Sequence, residues 1–146
     1  MMPDPIEFDF VTMNRDVIQE FRANNGKVGG VFADQPLLIL HHVGAKTGIE
    51  RLSPLAMLVE DGRIFIFASK GGAATHPDWY RNVLANPQVT VELGTDTFTA
   101  TATVITGEER DEVYAKQSAL HPQFEEYQRS STRLIPVVEL IPDRRR

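Results

Sequence analysis

The sequence has no cysteine in its 146 residues. This excludes a disulfide framework, a thiolate nucleophile, and any zinc or iron–sulfur centre built on cysteine. It is compatible with a cytoplasmic protein. No apolar run approaches the roughly 18–20 residues that a membrane-spanning helix needs. The opening Met1-Met2-Pro3-Asp4-Pro5-Ile6-Glu7 has neither a basic stretch nor a long apolar one, which argues against a signal peptide. An excess of positive charge is also missing. The formal net charge is -5, so bulk attraction to nucleic acid is not expected. Histidines are few and badly spaced for a metal. His41 and His42 are neighbours on an expected strand and point to opposite faces. His76 and His121 each precede a proline, where starting a helix accounts for them. No spacing pairs a nucleophile with a base.

What remains is ordinary globular material, 42% hydrophobic and 24% charged. Residues 1–146 read as a single domain, able to bury roughly 70% of its unfolded surface. Asp4-Pro5-Ile6-Glu7 has the form of a capping box. Phe10, Met13, Val17 and Phe21 then follow at three- and four-residue spacing, which predicts an amphipathic helix within residues 1–25. Its polar face is not basic, so nothing indicates membrane association. Leu37–Leu40, Leu52–Val59 and Ile64–Ala68 read as strands. Asp61-Gly62 between the last two is a hairpin signal. Pro54 inside the second argues for an edge or a bulge there. His76-Pro77 opens a short helix that Asn86-Pro87 ends. Val89, Val91 and Leu93 alternate with polar residues. Phe98, Ala100, Ala102 and Val104 alternate with threonines, the cleanest period of two in the chain. Thr106-Gly107-Glu108-Glu109 reads as a second capping box opening a helix to about Leu120, and His121-Pro122 opens another. Ile135–Ile141 reads as a last strand, with Pro136 suited to an edge. Residues 143–146 read as a flexible basic tail. Strands joined by hairpins imply antiparallel pairing. The fold class is therefore α+β, a small antiparallel split β-barrel with flanking helices.

Four segments could carry chemistry. Gly44-Ala45-Lys46-Thr47-Gly48-Ile49-Glu50-Arg51 is not a P-loop, because Ala45 and Leu40 stand where that motif needs glycines. It is a turn bearing Lys46, Thr47 and Arg51, which suits a phosphate or carboxylate. A solvated hairpin tip with ordinary surface charges accounts for it as well. Ala68-Ser69-Lys70-Gly71-Gly72-Ala73 follows an apolar strand, and its paired glycines let a flat ligand approach the backbone. A plain loop is the other reading. Trp79, with Tyr80 and Asn82 beside it, either packs in the core or walls a ring-binding pocket. Phe124 and Tyr127 share a helix face, as core or as an aromatic lid.

Together these segments resemble the deazaflavin-dependent nitroreductase family, split-barrel reductases that use coenzyme F420, from about Asn14 to Pro142. The strongest blocks are Ala68-Ser69-Lys70-Gly71-Gly72-Ala73 and His76-Pro77-Asp78-Trp79-Tyr80-Arg81-Asn82-Val83-Leu84-Ala85-Asn86-Pro87. The Lys46-Thr47-Gly48 turn with Arg51 and Pro54-Leu55 matches a second block. Gln123–Tyr127 and Arg133–Val137 match the C-terminal pattern. The resemblance implies that Lys46, Thr47 and Arg51 hold the cofactor phosphate. It implies that Ser53, Pro54 and Leu55 lie along the cofactor. Ala68, Ser69, Lys70, Gly71 and Gly72 would contact the deazaflavin ring, Trp79 and Asn82 would shape its pocket, and Ser69 and Tyr127 would be the catalytic residues facing substrate. Ala45 stands where the family often has a second basic residue, which leaves one cation fewer.

The implied activity is hydride transfer from reduced F420 to quinones, nitroaromatics or conjugated enones. Tyr127, Ser69 or water would give the proton. FMN on a similar split barrel is the alternative cofactor, because the phosphate chemistry is shared. A non-catalytic binder of cofactor or lipophile is the alternative class. The partners expected are a small-molecule acceptor and, as is frequent among split barrels, a second copy in a homodimer.

Overall fold

A computed structural model describes residues 10–28 and 36–143. The capping box at Asp4–Glu7 and the Arg144–Arg146 tail lie outside the described residues. The elements are α1 (Phe10–Ala23), β1 (Leu37–Val43), β2 (Glu50–Glu60), β3 (Arg63–Phe67), α2 (Asp78–Ala85), β4 (Gln88–Leu93), β5 (Asp96–Ile105), α3 (Gly107–Leu120), α4 (Gln123–Ser130) and β6 (Val137–Pro142). The strands form a closed antiparallel barrel in the order β1-β2-β3-β6-β5-β4. Among the described residues, no helix is long and apolar enough to cross a membrane.

Local chemistry explains the elements. Asp61 and Gly62 both take positive φ, 53° and 78°, the turn whose twist matches a tight hairpin. Along β5, Ala100 is buried, Phe98, Ala102 and Val104 pack on the core, and Thr99 and Thr103 are exposed. Alternation also divides the apolar residues into two cores. Leu38, Leu40, Ile64, Ile66, Val91, Ala100, Val138 and Leu140 fill the barrel, and Trp79 and Val83 of α2 join them. The opposite face of β3 and β6 offers Phe65, Phe67 and Val137 to Val113 and Tyr114 of α3 and Phe124 of α4. There Phe67 meets the rings of Tyr114 and Phe124 edge-on at 5.9 and 5.6 Å. In α1, Val17 and Phe21 are buried. Arg22 donates to both carboxylate oxygens of Glu92 on β4, at 3.0 and 2.6 Å. His41 reaches the same carboxylate at 2.6 Å.

Pro54 pairs with Ile39 of β1 and, as expected, lies on a local strand edge: among the described residues no residue of β3 stands opposite it, pairing between those strands covering only Met57–Glu60. Two expectations need correction. Pro136 lies before β6 and not within an edge strand, and its carbonyl accepts the Ala68 N–H at 3.0 Å. Thr106 is the N-cap of α3 but makes no side-chain cap. Glu109, expected to reach back to it, pairs with Arg63 at 3.0 Å.

The connection from α4 to β6 is pinned by a buried cation. Arg110 of α3 donates to the Ile135 carbonyl from Nε and Nη2, at 3.1 and 2.8 Å, and to Gln128 Oε1 at 2.7 Å. Its guanidinium lies 4.5 Å over the Tyr114 ring. Gln128 in turn accepts the Ile135 N–H and donates to the Arg133 carbonyl. Lysine cannot reproduce that planar fork. Arg110→Lys should therefore cost about 1.5–3 kcal/mol, the range for hydrogen bonds to a charged group. Urea unfolding reads it, and an unchanged midpoint would refute this role.

Candidate functional site

The β1–β2 turn is held rigidly by its own backbone. Gly44 N–H donates to the Ile49 carbonyl and Gly48 N–H to the Gly44 carbonyl, both at 2.9 Å. Thr47 Oγ1 accepts the Ile49 N–H at 3.2 Å, so its oxygen braces the turn. Lys46 and Arg51 are exposed on this turn. Elsewhere Arg22, Arg63, Arg81, Arg110, Arg129 and Lys116 each meet a carboxylate. Among the described residues, Lys46 and Arg51 meet none.

From this turn a free strand edge runs toward the barrel. β2 has 11 residues and β3 has five. Pairing with β3 stops at Met57, so among the described residues Glu50–Ala56 have a strand neighbour only in β1. This edge is roughly 20 Å long and carries Arg51, Ser53, Pro54 and Leu55.

The loop after β3 carries the second set of expected residues. Ala68 is fully buried, so its carbonyl rather than its side chain is what it contributes. Lys70 takes a φ of 47°, a strained setting for a non-glycine residue and a frequent mark of functional loops. Its ammonium donates to Thr75 Oγ1 at 3.3 Å. Arg133 organises the loop. It donates to the carbonyls of Ala68, Ser69 and Ala73, at 3.0, 2.9 and 3.0 Å, and to His76 Nδ1 at 3.1 Å. Among the described residues this cation also has no carboxylate partner. Tyr127 belongs to the same corner. A Cβ on Gly72 would sit 3.0 Å from the Tyr127 carbonyl oxygen and 3.1 Å from its Cα, and Gly72 has a φ of 84°. The Tyr127 ring lies 5.2 Å from Phe124, which is buried, whereas Tyr127 is half-buried.

Helix α2 connects the two regions. Trp79 is buried in the barrel core. Asn82 is buried, and both ends of its amide are engaged. Oδ1 accepts the Ala45 N–H at 2.9 Å, and Nδ2 lies 3.0 Å from His42 Nδ1. His42 Nε2 lies 2.9 Å from Ser53 Oγ. The sequence reading assigned His42 no role. Its partners lie 11 and 40 residues away, so spacing carried no signal. The alternation that put it on the core face with Leu38 and Leu40 was the one available clue. Arg133 was noticed only as part of a matching block. A cavity of about 540 Å³ between α3 and α4, lined by Arg110, Tyr114, Ser118, Glu125 and Arg129 among others, shares no residue with this site.

Burial, then the nearby Arg51 and His41, lower the His42 pKa from 6.5 to about 4, against an opposing pull from Asp78. The unfolded chain therefore takes up this proton first as pH falls. Stability from this group is intact above about pH 6.5 and declines toward about pH 4. His76 is also lowered, so the informative quantity is the difference between wild type and His42→Gln. The variant should show a shallower loss of thermal stability across that window. Parallel curves would show that His42 does not titrate this way. Gly72→Ala should destabilise by about 1–3 kcal/mol, the cost of a strained backbone position, because neither φ nor the Tyr127 backbone leaves room. An unchanged denaturation midpoint would contradict the close approach.

Comparison with known proteins identifies relatives of this chain. Residues 13–142 match the family described as F420H(2)-dependent quinone reductase. An F420H(2)-dependent quinone reductase of Mycobacterium tuberculosis is 34% identical over 126 residues, covering 82% of this chain and 83% of that protein. The solved F420-H2 dependent reductase FDR-A is 39% identical with a TM-score of 0.67, covering 77% of this chain and 99% of its own. A structure described as a domain-swapped dimer is 37% identical with a TM-score of 0.68, covering 94% and 99%. A split barrel whose residues 13–142 match that family, with relatives 34% and 39% identical, places this chain in the F420H(2)-dependent quinone reductase family of deazaflavin-dependent oxidoreductases.

Proposed function

We propose that the free edge of β2 and the adjoining glycine loop seat coenzyme F420, and that the chain reduces electron-poor acceptors, quinones first. One observation carries this reading. The edge has unpaired cations at one end and a carbonyl-pinned, glycine-bearing loop at the other. Such a surface fits a long ligand with an anionic end and a flat end.

Lys46 and Arg51 hold the phosphate, and Thr47 keeps their turn rigid. Ser53, Pro54 and Leu55 lie along the ligand. The backbone of Ala68–Gly72 approaches the ring, with Lys70 beside it, and Trp79 and Asn82 fix the wall behind. When bound, the reduced deazaflavin supplies the hydride. Quinone reduction needs a proton as well, and in this reading the Tyr127 or Ser69 hydroxyl supplies it, with water as a third source. Nothing in the site favours FMN specifically. The solved relative described as a domain-swapped dimer supports a homodimer for this chain too, which light scattering would read.

The decisive experiment titrates the purified protein with F420 and with FMN, following ligand fluorescence, and then screens quinones for turnover. F420 should bind more tightly than FMN and support quinone reduction. Preference for FMN would overturn the coenzyme, and bound F420 without turnover would favour a carrier. Lys46→Ala and Arg51→Ala should each weaken F420 binding by about 1–2 kcal/mol, between a solvated ion pair and a desolvated charged hydrogen bond. Tyr127→Phe should lower kcat more than coenzyme affinity. An equal loss of both would make Tyr127 structural.

A further inference from the structure

We infer that Asn82 and His42 form a hydrogen-bond relay of fixed polarity that turns the Ser53 hydroxyl into a donor toward the coenzyme, which makes His42 a positioning residue of the site. The destination of that hydrogen rests on the coenzyme reading above, whereas the polarity of the relay does not.

The polarity follows from one group with no choice. A backbone N–H can only donate, so the Asn82 atom 2.9 Å from Ala45 N is the carbonyl Oδ1. The amide nitrogen therefore faces His42 Nδ1 at 3.0 Å. An amide NH2 can only donate, so Nδ1 presents its lone pair. A neutral imidazole then carries its proton on Nε2. That N–H points at Ser53 Oγ, 2.9 Å away, and the hydroxyl oxygen accepts. Among the described residues, Ser53 Oγ has no second partner. Its own hydrogen is left to donate from a half-buried position on the free stretch of β2.

A doubly protonated imidazole would break the chain, because Nδ1–H would face the Asn82 amide hydrogens. The surroundings oppose it. His42 is 2% exposed, and both Arg51 of β2 and His41 of β1 repel the added charge, with Asp78 of α2 alone favouring it. The relay also links two parts of the site. The same Asn82 that sets the tautomer holds the Ala45 N–H, next to Lys46. Ser53 and the phosphate turn are thus positioned by one side chain.

The first test needs no coenzyme. Long-range proton–nitrogen NMR on the apo protein at neutral pH should show His42 as the Nε2–H tautomer, and the Nδ1–H tautomer would overturn the relay. The second test measures F420 dissociation constants. Ser53→Ala and His42→Leu should each weaken binding about tenfold, or about 1.4 kcal/mol. The double variant should be no weaker than Ser53→Ala alone. His42→Gln offers Asn82 an acceptor and Ser53 a donor, so it should bind within about threefold of wild type, a rescue that general packing would not give. Additive losses in the double variant would refute the relay. Should His42→Leu fail to fold, the Gln variant and Ser53→Ala still decide: a loss with Gln as large as with Ser53→Ala would refute it. If wild type does not bind F420, the coenzyme seat falls and with it the destination of the Ser53 hydrogen, while the tautomer measurement still settles the polarity.

Discussion

The unequal lengths of β2 and β3 govern the rest of this molecule. A closed barrel saturates its strand edges with hydrogen bonds and leaves nothing for a ligand to lie along. Here β2 outruns β3, and among the described residues Glu50–Ala56 keep one edge without a strand partner. Pro54 tolerates that position because no β3 residue stands opposite it. The expected coenzyme residues lie along this stretch or at its two ends. Closure supplies the rigidity, and the mismatch supplies the opening.

The polar groups around that edge are satisfied in an unusual way. Several cations elsewhere on the surface are matched by carboxylates, as in Arg63 with Glu139 and Arg22 with Glu92. Near the site the partners are neutral. Arg133 is spent on three carbonyls and an imidazole, and Asn82 on a backbone N–H and an imidazole. Carbonyls orient a guanidinium without cancelling its charge. The Arg133 charge is therefore not neutralised by a carboxylate among the described residues. Arg110 stands one step further back, holding the segment from which Arg133 reaches out.

Residues also divide by what they can do there. Trp79 and Ala68 are buried and act by shape and by backbone. Lys46 and Arg51 are exposed, and in the proposed seat they would act by charge. Tyr127 lies between, half-buried on α4 with its backbone against Gly72. That contact ties the aromatic helix to the ring loop, so a hydroxyl held there would share the loop's position.

The sequence alone determined the element order, the antiparallel barrel and the family blocks from which the coenzyme seat is proposed. These depend on local periodicity, turn chemistry at Asp61-Gly62, and contiguous motifs, all of which are written within a few residues of one another. It could not reveal which strands close the barrel, because closure depends on β4 pairing with β1, as at His41 and Thr90, far apart in the chain. It misjudged Thr106, whose expected partner Glu109 found Arg63 instead. His42 and Arg133 emerged only in three dimensions, since each acts through partners brought together by the barrel. Spacing records what a helix or strand places side by side. Which lone pair faces which hydrogen is decided when distant segments pack, and in this protein that decides the polarity of the site.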